Sequence, residues 1–126
     1  MQFFRNIFWV LTALAAPLPA SADAPPWAPV IGKWRAADYG SCGVDDTRFG
    51  RITSVSDDAM LTDKIHCSIE GGAATAHGLV MEAICEVGAN YYAVLTFDWT
   101  LTSDTEAVMT QDGYEKRLIR CKGEVE

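Results

Sequence analysis

The chain has 126 residues, 10 basic and 17 acidic, and 49% of them are apolar. That length fits one domain, and the apolar fraction excludes a disordered acidic tail, which would lack the residues to bury. A formal net charge of −7 argues against nucleic-acid binding, which needs a basic footprint.

Residues 3–14 are nearly all apolar, with Arg5 as the only charge, and Pro17, Pro19 and the triplet Ala20-Ser21-Ala22 follow. A short apolar run before a small-residue site reads as a signal peptide over residues 1–22, cleaved after Ala22. A spanning helix needs ~20 apolar residues, and the two prolines break this run well before that. Arg5 stands alone, so there is no twin-arginine signal, and no cysteine lies near the cleavage point to carry a lipid. The exported chain, residues 23–126, carries 9 basic and 17 acidic residues, or −8. A periplasmic or secreted location follows, with no transmembrane segment after cleavage.

Residues 23–30 hold Pro25, Pro26 and Pro29 around Trp27 and read as an extended leader rather than a helix. The remainder, 31–126, reads as one domain of short strands. Two weak strands come first, at 31–37 and 47–55. The stretch 61–69 puts Leu61, Ile65, Cys67 and Ile69 on one face and Thr62, Lys64, His66 and Ser68 on the other. Residues 79–87 alternate in the same way, with Leu79, Met81, Ala83, Cys85 and Val87 against Val80, Glu82, Ile84 and Glu86. So do residues 91–102, with Tyr91, Ala93, Leu95, Phe97, Trp99 and Leu101 against Thr96, Asp98, Thr100 and Thr102. Strands at 105–111 and 114–121 flank Asp112-Gly113, a strong hairpin signal. Gly71-Gly72 and Gly88-Ala89-Asn90 mark further turns. Seven or eight short strands without an amphipathic helix make an all-β antiparallel meander, closed as a small barrel or, alternatively, stacked as a β-sandwich.

Four cysteines, Cys42, Cys67, Cys85 and Cys121, stand 25, 18 and 36 residues apart. An even set in an oxidising compartment reads as two disulfides, and these gaps are too wide for a C-x-x-C metal site. Four cysteines allow three pairings. Cys67 and Cys85 are symmetric about position 76, so a hairpin turning within 71–78 sets them opposite each other. Cys42 follows the first strand and Cys121 ends the last, and those strands are neighbours in a closed barrel. Cys67–Cys85 and Cys42–Cys121 are therefore the preferred pairs.

Gly32-Lys33-Trp34 opens the first strand, and Arg117 and Arg120 lie in the last. This resembles the lipocalin and calycin signature, a G-x-W tryptophan closing one barrel end beneath an arginine of the final strand. The resemblance implies a structural plug made of Gly32, Trp34 and Arg117 or Arg120. The chain departs from lipocalins in its 104-residue exported length and in lacking their C-terminal helix. With its four spaced cysteines it is also similar to small periplasmic proteins of alphaproteobacteria. In size and style it is similar to the small periplasmic β-barrel inhibitor of bacterial metalloproteases.

Candidate chemistry is sparse. Asp45-Asp46 and Asp57-Asp58 fall in expected turns, where aspartate bonds nearby backbone amides. His66 and His77 are the only histidines, one on a wet strand face and one in a loop. No nucleophile elbow, zincin or phosphate-loop motif is present, so neither metal, cofactor nor catalytic residues are expected. Trp34, Leu61, Ile65, Leu79, Met81, Leu95, Phe97, Trp99 and Leu101 are expected to fill the interior. Trp27 and Tyr92 are expected to be exposed aromatics on a contact surface. The expected function is a binding or inhibitory module that contacts another protein through loops such as 38–48 and 70–78. The alternatives are a carrier of a small apolar ligand inside the barrel and an enzyme using a carboxylate or histidine.

Overall fold

A computed structural model describes residues 24–43, 52–62 and 64–122. The expected signal peptide 1–22, Asp45-Asp46, the first part of the expected strand 47–55 and part of the expected loop 38–48 lie outside these residues. Among them are eight strands: β1 (Gly32–Ala36), β2 (Ile52–Val55), β3 (Ala59–Thr62), β4 (Ile65–Ala74), β5 (Gly78–Gly88), β6 (Tyr91–Leu101), β7 (Glu106–Gln111) and β8 (Tyr114–Arg120). Each pairs antiparallel with the next, and β1 pairs with β8, so the meander closes into a barrel. The expected all-β class and the barrel are correct, and the sandwich is not formed.

Period-two patterning produces this arrangement, because successive side chains on a strand point to opposite faces. Leu79, Met81, Ala83 and Cys85 of β5 are buried, while Glu82, Ile84 and Glu86 between them are exposed. Asp112 and Gly113, with φ of 55° and 79°, make the tight turn from β7 to β8. A two-residue hairpin asks for positive φ at both positions, and Asp-Gly supplies it.

The expected strand 61–69 is two strands. Thr62 and Ile65 pair across a tight turn in which Lys64 has φ 66°. The chain reverses there, so the inward parity switches from even to odd positions. Met60 and Thr62 point inward, Leu61 is half-buried on the outer side, and Cys67 and Ile69 are buried beyond the turn. Gly71-Gly72 is likewise not a turn. A register shift lies between Ile69 and Gly71, and β4 runs on to Ala74. The connection to β5 is residues 75–77 only, so most of the expected loop 70–78 is strand.

The N-terminal leader departs from expectation too. Ala28–Val30 form a 3-10 helix, and Trp27 is buried at 9% exposure rather than offered to a partner. Pro29 suits the first turn of a helix because its missing N–H would have no partner there. Trp27 donates from Nε1 to the Ser56 carbonyl at 3.2 Å. A Cβ on Gly72 would stand 3.2 Å from the Trp27 ring and 2.7 Å from the Val80 carbonyl, so glycine leaves the space that the tryptophan needs.

Inside, Trp34 and Trp99 meet at a centroid distance of 5.6 Å with their rings tilted by 56°. Leu79, Met81, Met60, Phe97 and Leu118 pack with them, and Ile65, Leu95 and Leu101 lie half-buried against this core. Thr53 and Thr62, both fully buried, satisfy each other through a 2.8 Å hydroxyl bond. Trp99 Nε1 is a buried donor with no partner among the described residues. Cys67 bonds Cys85 across β4 and β5, and Cys42 bonds Cys121 where β8 ends.

Candidate functional site

The barrel end near β1 is closed by Trp34, whose Nε1 donates to the Val30 carbonyl at 2.9 Å. The Arg120 guanidinium lies 4.3 Å over the Trp34 ring. It also donates to the carbonyls of Pro29, Asp104 and Ile31 at 2.7, 3.0 and 3.3 Å. Gly32 has φ 135°, and the position of its absent Cβ faces Arg120. Arg117 is exposed, and its carbonyl accepts from the Ala37 N–H. These contacts hold the leader on the barrel and are structural. They use the Arg120 guanidinium to hold the leader and the plug rather than a ligand.

The surface with the most unsatisfied chemistry is the outer face of β4, β5 and β6. Antiparallel register lines up His66, Glu86 and Tyr92 in one row across the three strands, and Ser68, Ile84 and Val94 in the next. Glu82 and Thr96 pair in the row after that. Directly behind the first two rows sits the Cys67–Cys85 disulfide, with Cα atoms 4.0 Å apart. The bond pins the two strands to each other, so the outer side chains stand on a stiff base.

Tyr92 and Val94 are 65% and 68% exposed, and Ile84, Val87 and Tyr91 are exposed with them. Polar side chains are the usual occupants of such outward positions. An open depression of about 340 Å³ beside them is lined by Asp58, His66, Ser68, Ile84, Glu86 and Tyr92, among others. His66 also borders two neighbouring depressions, of about 410 and 120 Å³. His66 and Glu86 are cross-strand neighbours without a mutual hydrogen bond among the described residues. No group of three metal-ligating side chains occurs among those residues. His77 lies in the exposed β4–β5 connection, apart from this face. Asp57 and Asp58 are in the β2–β3 turn, where Ser56 Oγ donates to the Asp58 carboxylate at 3.1 Å.

Charge is segregated in the same direction. From residue 65 to 115 there is no Lys or Arg, while Glu70, Glu82, Glu86, Asp98, Asp104, Glu106, Asp112 and Glu115 are all acidic. The described cations Lys33, Arg35, Lys64, Lys116, Arg117, Arg120 and Lys122 lie outside that span. β4, β5 and β6 thus present apolar and aromatic groups among carboxylates, with Lys64 at one rim of the face.

Of the two aromatics expected on a contact surface, Tyr92 is there and Trp27 is in the core. Ile84 and Val94 were missed as contact residues. Tyr91 and Val87, expected on inner faces, are exposed because the register shift between Glu86 and Gly88 breaks the alternation at the β5–β6 turn. The signal was available: Val80, Ile84 and Val94 are apolar residues at positions the alternation assigns to solvent.

The protein is of the closed eight-stranded antiparallel meander class, disulfide-bonded and with Trp34, Trp99, Met81 and Phe97 buried in its core. No family model, curated protein or solved structure matches the chain, so its likeness to calycins rests on the residues quoted above. The two disulfides fit an oxidising environment. No helix among the described residues is long and apolar enough to cross a membrane.

Proposed function

We propose that this protein is an exported binding module that docks another protein through the outer face of β4–β6 and acts by binding rather than by catalysis. The observation that carries this reading is the exposed cluster of Ile84, Val94 and Tyr92 on two adjacent rows, set among carboxylates and backed by a disulfide. Contiguous exposed apolar groups mark contact surfaces, and aromatic residues with two stiff torsions make efficient anchors. The acidic surroundings favour a partner with a basic rim. Export is supported by the apolar N-terminal run and by the two disulfides. A carrier would need the interior volume that Trp34, Trp99, Met81 and Phe97 occupy.

Site-specific photocrosslinking tests the reading in the cells that make the protein. A benzophenone side chain replaces Tyr92 in one variant and Tyr114 in another, the latter 69% exposed at the β7–β8 turn. A discrete protein adduct from position 92 and none from position 114 is the expected outcome. Equal adducts from both, or none from either, would refute docking through this face.

A further inference from the structure

The backbone of β6 is paired unevenly. On one side β5 accompanies it from Thr100 to Tyr91. On the other side the ladder with β7 covers only Asp98↔Thr110 to Leu101↔Ala107. β7 ends at Gln111, and the Asp112-Gly113 turn sends the chain back into β8, so β7 cannot extend the ladder. Residues 91–96 therefore carry a free edge among the described residues; residues 70–74 of β4, which outrun the β3 ladder, also do, but they hold Glu70 and two glycines.

The edge sequence is Tyr-Tyr-Ala-Val-Leu-Thr, without charge, proline or glycine. Natural edge strands are normally blunted by lysine, proline, a bulge or a cover, because bare N–H and C=O groups template strand addition. Here the nearby bulge, between Glu86 and Gly88, distorts the β5 side and leaves the other side open. The segment has the composition of a strand-pairing sequence.

We infer that residues 91–96 of β6 accept an added strand from a partner whose extended segment alternates basic and apolar residues. The inference rests on the binding reading above and names the mode and the chemistry of the partner. Strand addition takes affinity from main-chain bonds and specificity from alternate side chains. On the outer side an incoming residue lies beside Tyr92 and Val94. A Lys or Arg there stacks on the Tyr92 ring and shares the outer face with Glu86, which pairs across from Tyr92, and with Glu82 further along; added salt screens that attraction. On the inner side an incoming apolar residue covers Ala93 and Leu95, which are only half-buried. A second copy of this chain fits less well, because it brings the same carboxylates and a net charge of −7 to the seam.

The test uses the intact protein and short synthetic peptides, read by amide hydrogen exchange at residues 91–96. A Lys-Val-Lys-Val-Lys-Val peptide at about ten times its Kd slows exchange of the edge amides about tenfold, and added salt reverses the slowing. The same peptide with alternate N-methylated amides, and a Glu-Val-Glu-Val-Glu-Val peptide, leave exchange unchanged. Val94→Lys, at an exposed outward position, weakens the basic peptide while the fold is retained. Absence of slowing, slowing by the N-methylated or acidic peptide, or no effect of V94K would overturn the inference. Protection of 91–96 in the protein alone, together with a dimer mass in sedimentation, would overturn it in favour of a second copy. A Tyr92 adduct without edge protection would refute strand addition yet leave docking through this face standing.

Discussion

Arg120 joins three parts of the molecule through one side chain. Its guanidinium covers Trp34 and bonds the carbonyls of Pro29, Ile31 and Asp104. Lysine cannot reproduce a planar fork with several donors in fixed directions. Arg120→Lys should therefore lose most of what Arg120→Ala loses, about 1–3 kcal/mol in urea unfolding given the partial exposure of the site. A cost near zero for the lysine variant would show that charge alone suffices. Trp34→Ala should cost ~3–5 kcal/mol, since that side chain is fully buried. The Thr53–Thr62 pair gives a sharper comparison. Thr53→Val leaves a buried Thr62 hydroxyl unpaired and should cost about 1–2 kcal/mol, whereas the Thr53→Val, Thr62→Val double variant should cost less than the sum of the two single changes. Additive costs in that cycle would mean the hydroxyls do not depend on each other.

Strands were legible where alternation ran unbroken. β5 and β6 could be assigned to faces residue by residue because 11 residues of each follow one parity, bent only near the β5–β6 turn. The β3–β4 pair was not separable by the same logic. The reversal between the paired Thr62 and Ile65 has no glycine or proline in its sequence to signal it, so Leu61 was given the inner face that Met60 and Thr62 hold. Gly71-Gly72 misled for the opposite reason. The register shift there and the close approach of Trp27 and Val80 give glycine a place inside a strand. Trp27 itself was hidden by its prolines, which read as an extended leader although a short 3-10 turn tucks the ring under β4. The candidate face was only partly legible, because Tyr92 draws the eye while Ile84 and Val94 look like ordinary strand residues until their exposure is measured. At Gly78, an added Cβ would run into the Trp99 carbonyl. Gly78→Ala should therefore destabilise by about 1–3 kcal/mol through overpacking, read as a lower urea midpoint with an unchanged slope. An unchanged midpoint would show that the β5–β6 hairpin end can spread without cost.

For the molecule as a whole, closure and content decide what it can do. The Cys42–Cys121 bridge spans 79 residues and the Cys67–Cys85 bridge 18. In the chain-entropy account the longer loop stabilises by about 4 kcal/mol and the shorter by about 3. Replacing Cys42 and Cys121 together with serine should thus lower stability more than replacing Cys67 and Cys85, a ranking that chemical denaturation of the two double variants checks. The filled interior sets a second expectation. A fluorescent fatty acid should neither bind stoichiometrically nor quench Trp34 or Trp99, and quenching at equimolar ratio would make the protein a carrier.

The run without a single Lys or Arg from 65 to 115 has a consequence for proteolysis. An enzyme that cuts after basic residues finds no site between Lys64 and Lys116, so β4 to β7 survive digestion as one fragment, residues 65–116. That fragment keeps Cys67 and Cys85 together and carries the whole of the proposed docking face. Cys42 and Cys121 fall instead in separate small peptides, 36–48 and 121–122, joined only by their disulfide. The protein thus encodes its own cross-link map: mass analysis of the unreduced digest reads the two bridges apart in one step. In a compartment patrolled by trypsin-like proteases, β4 to β7 would be the last part of the barrel to be cleaved.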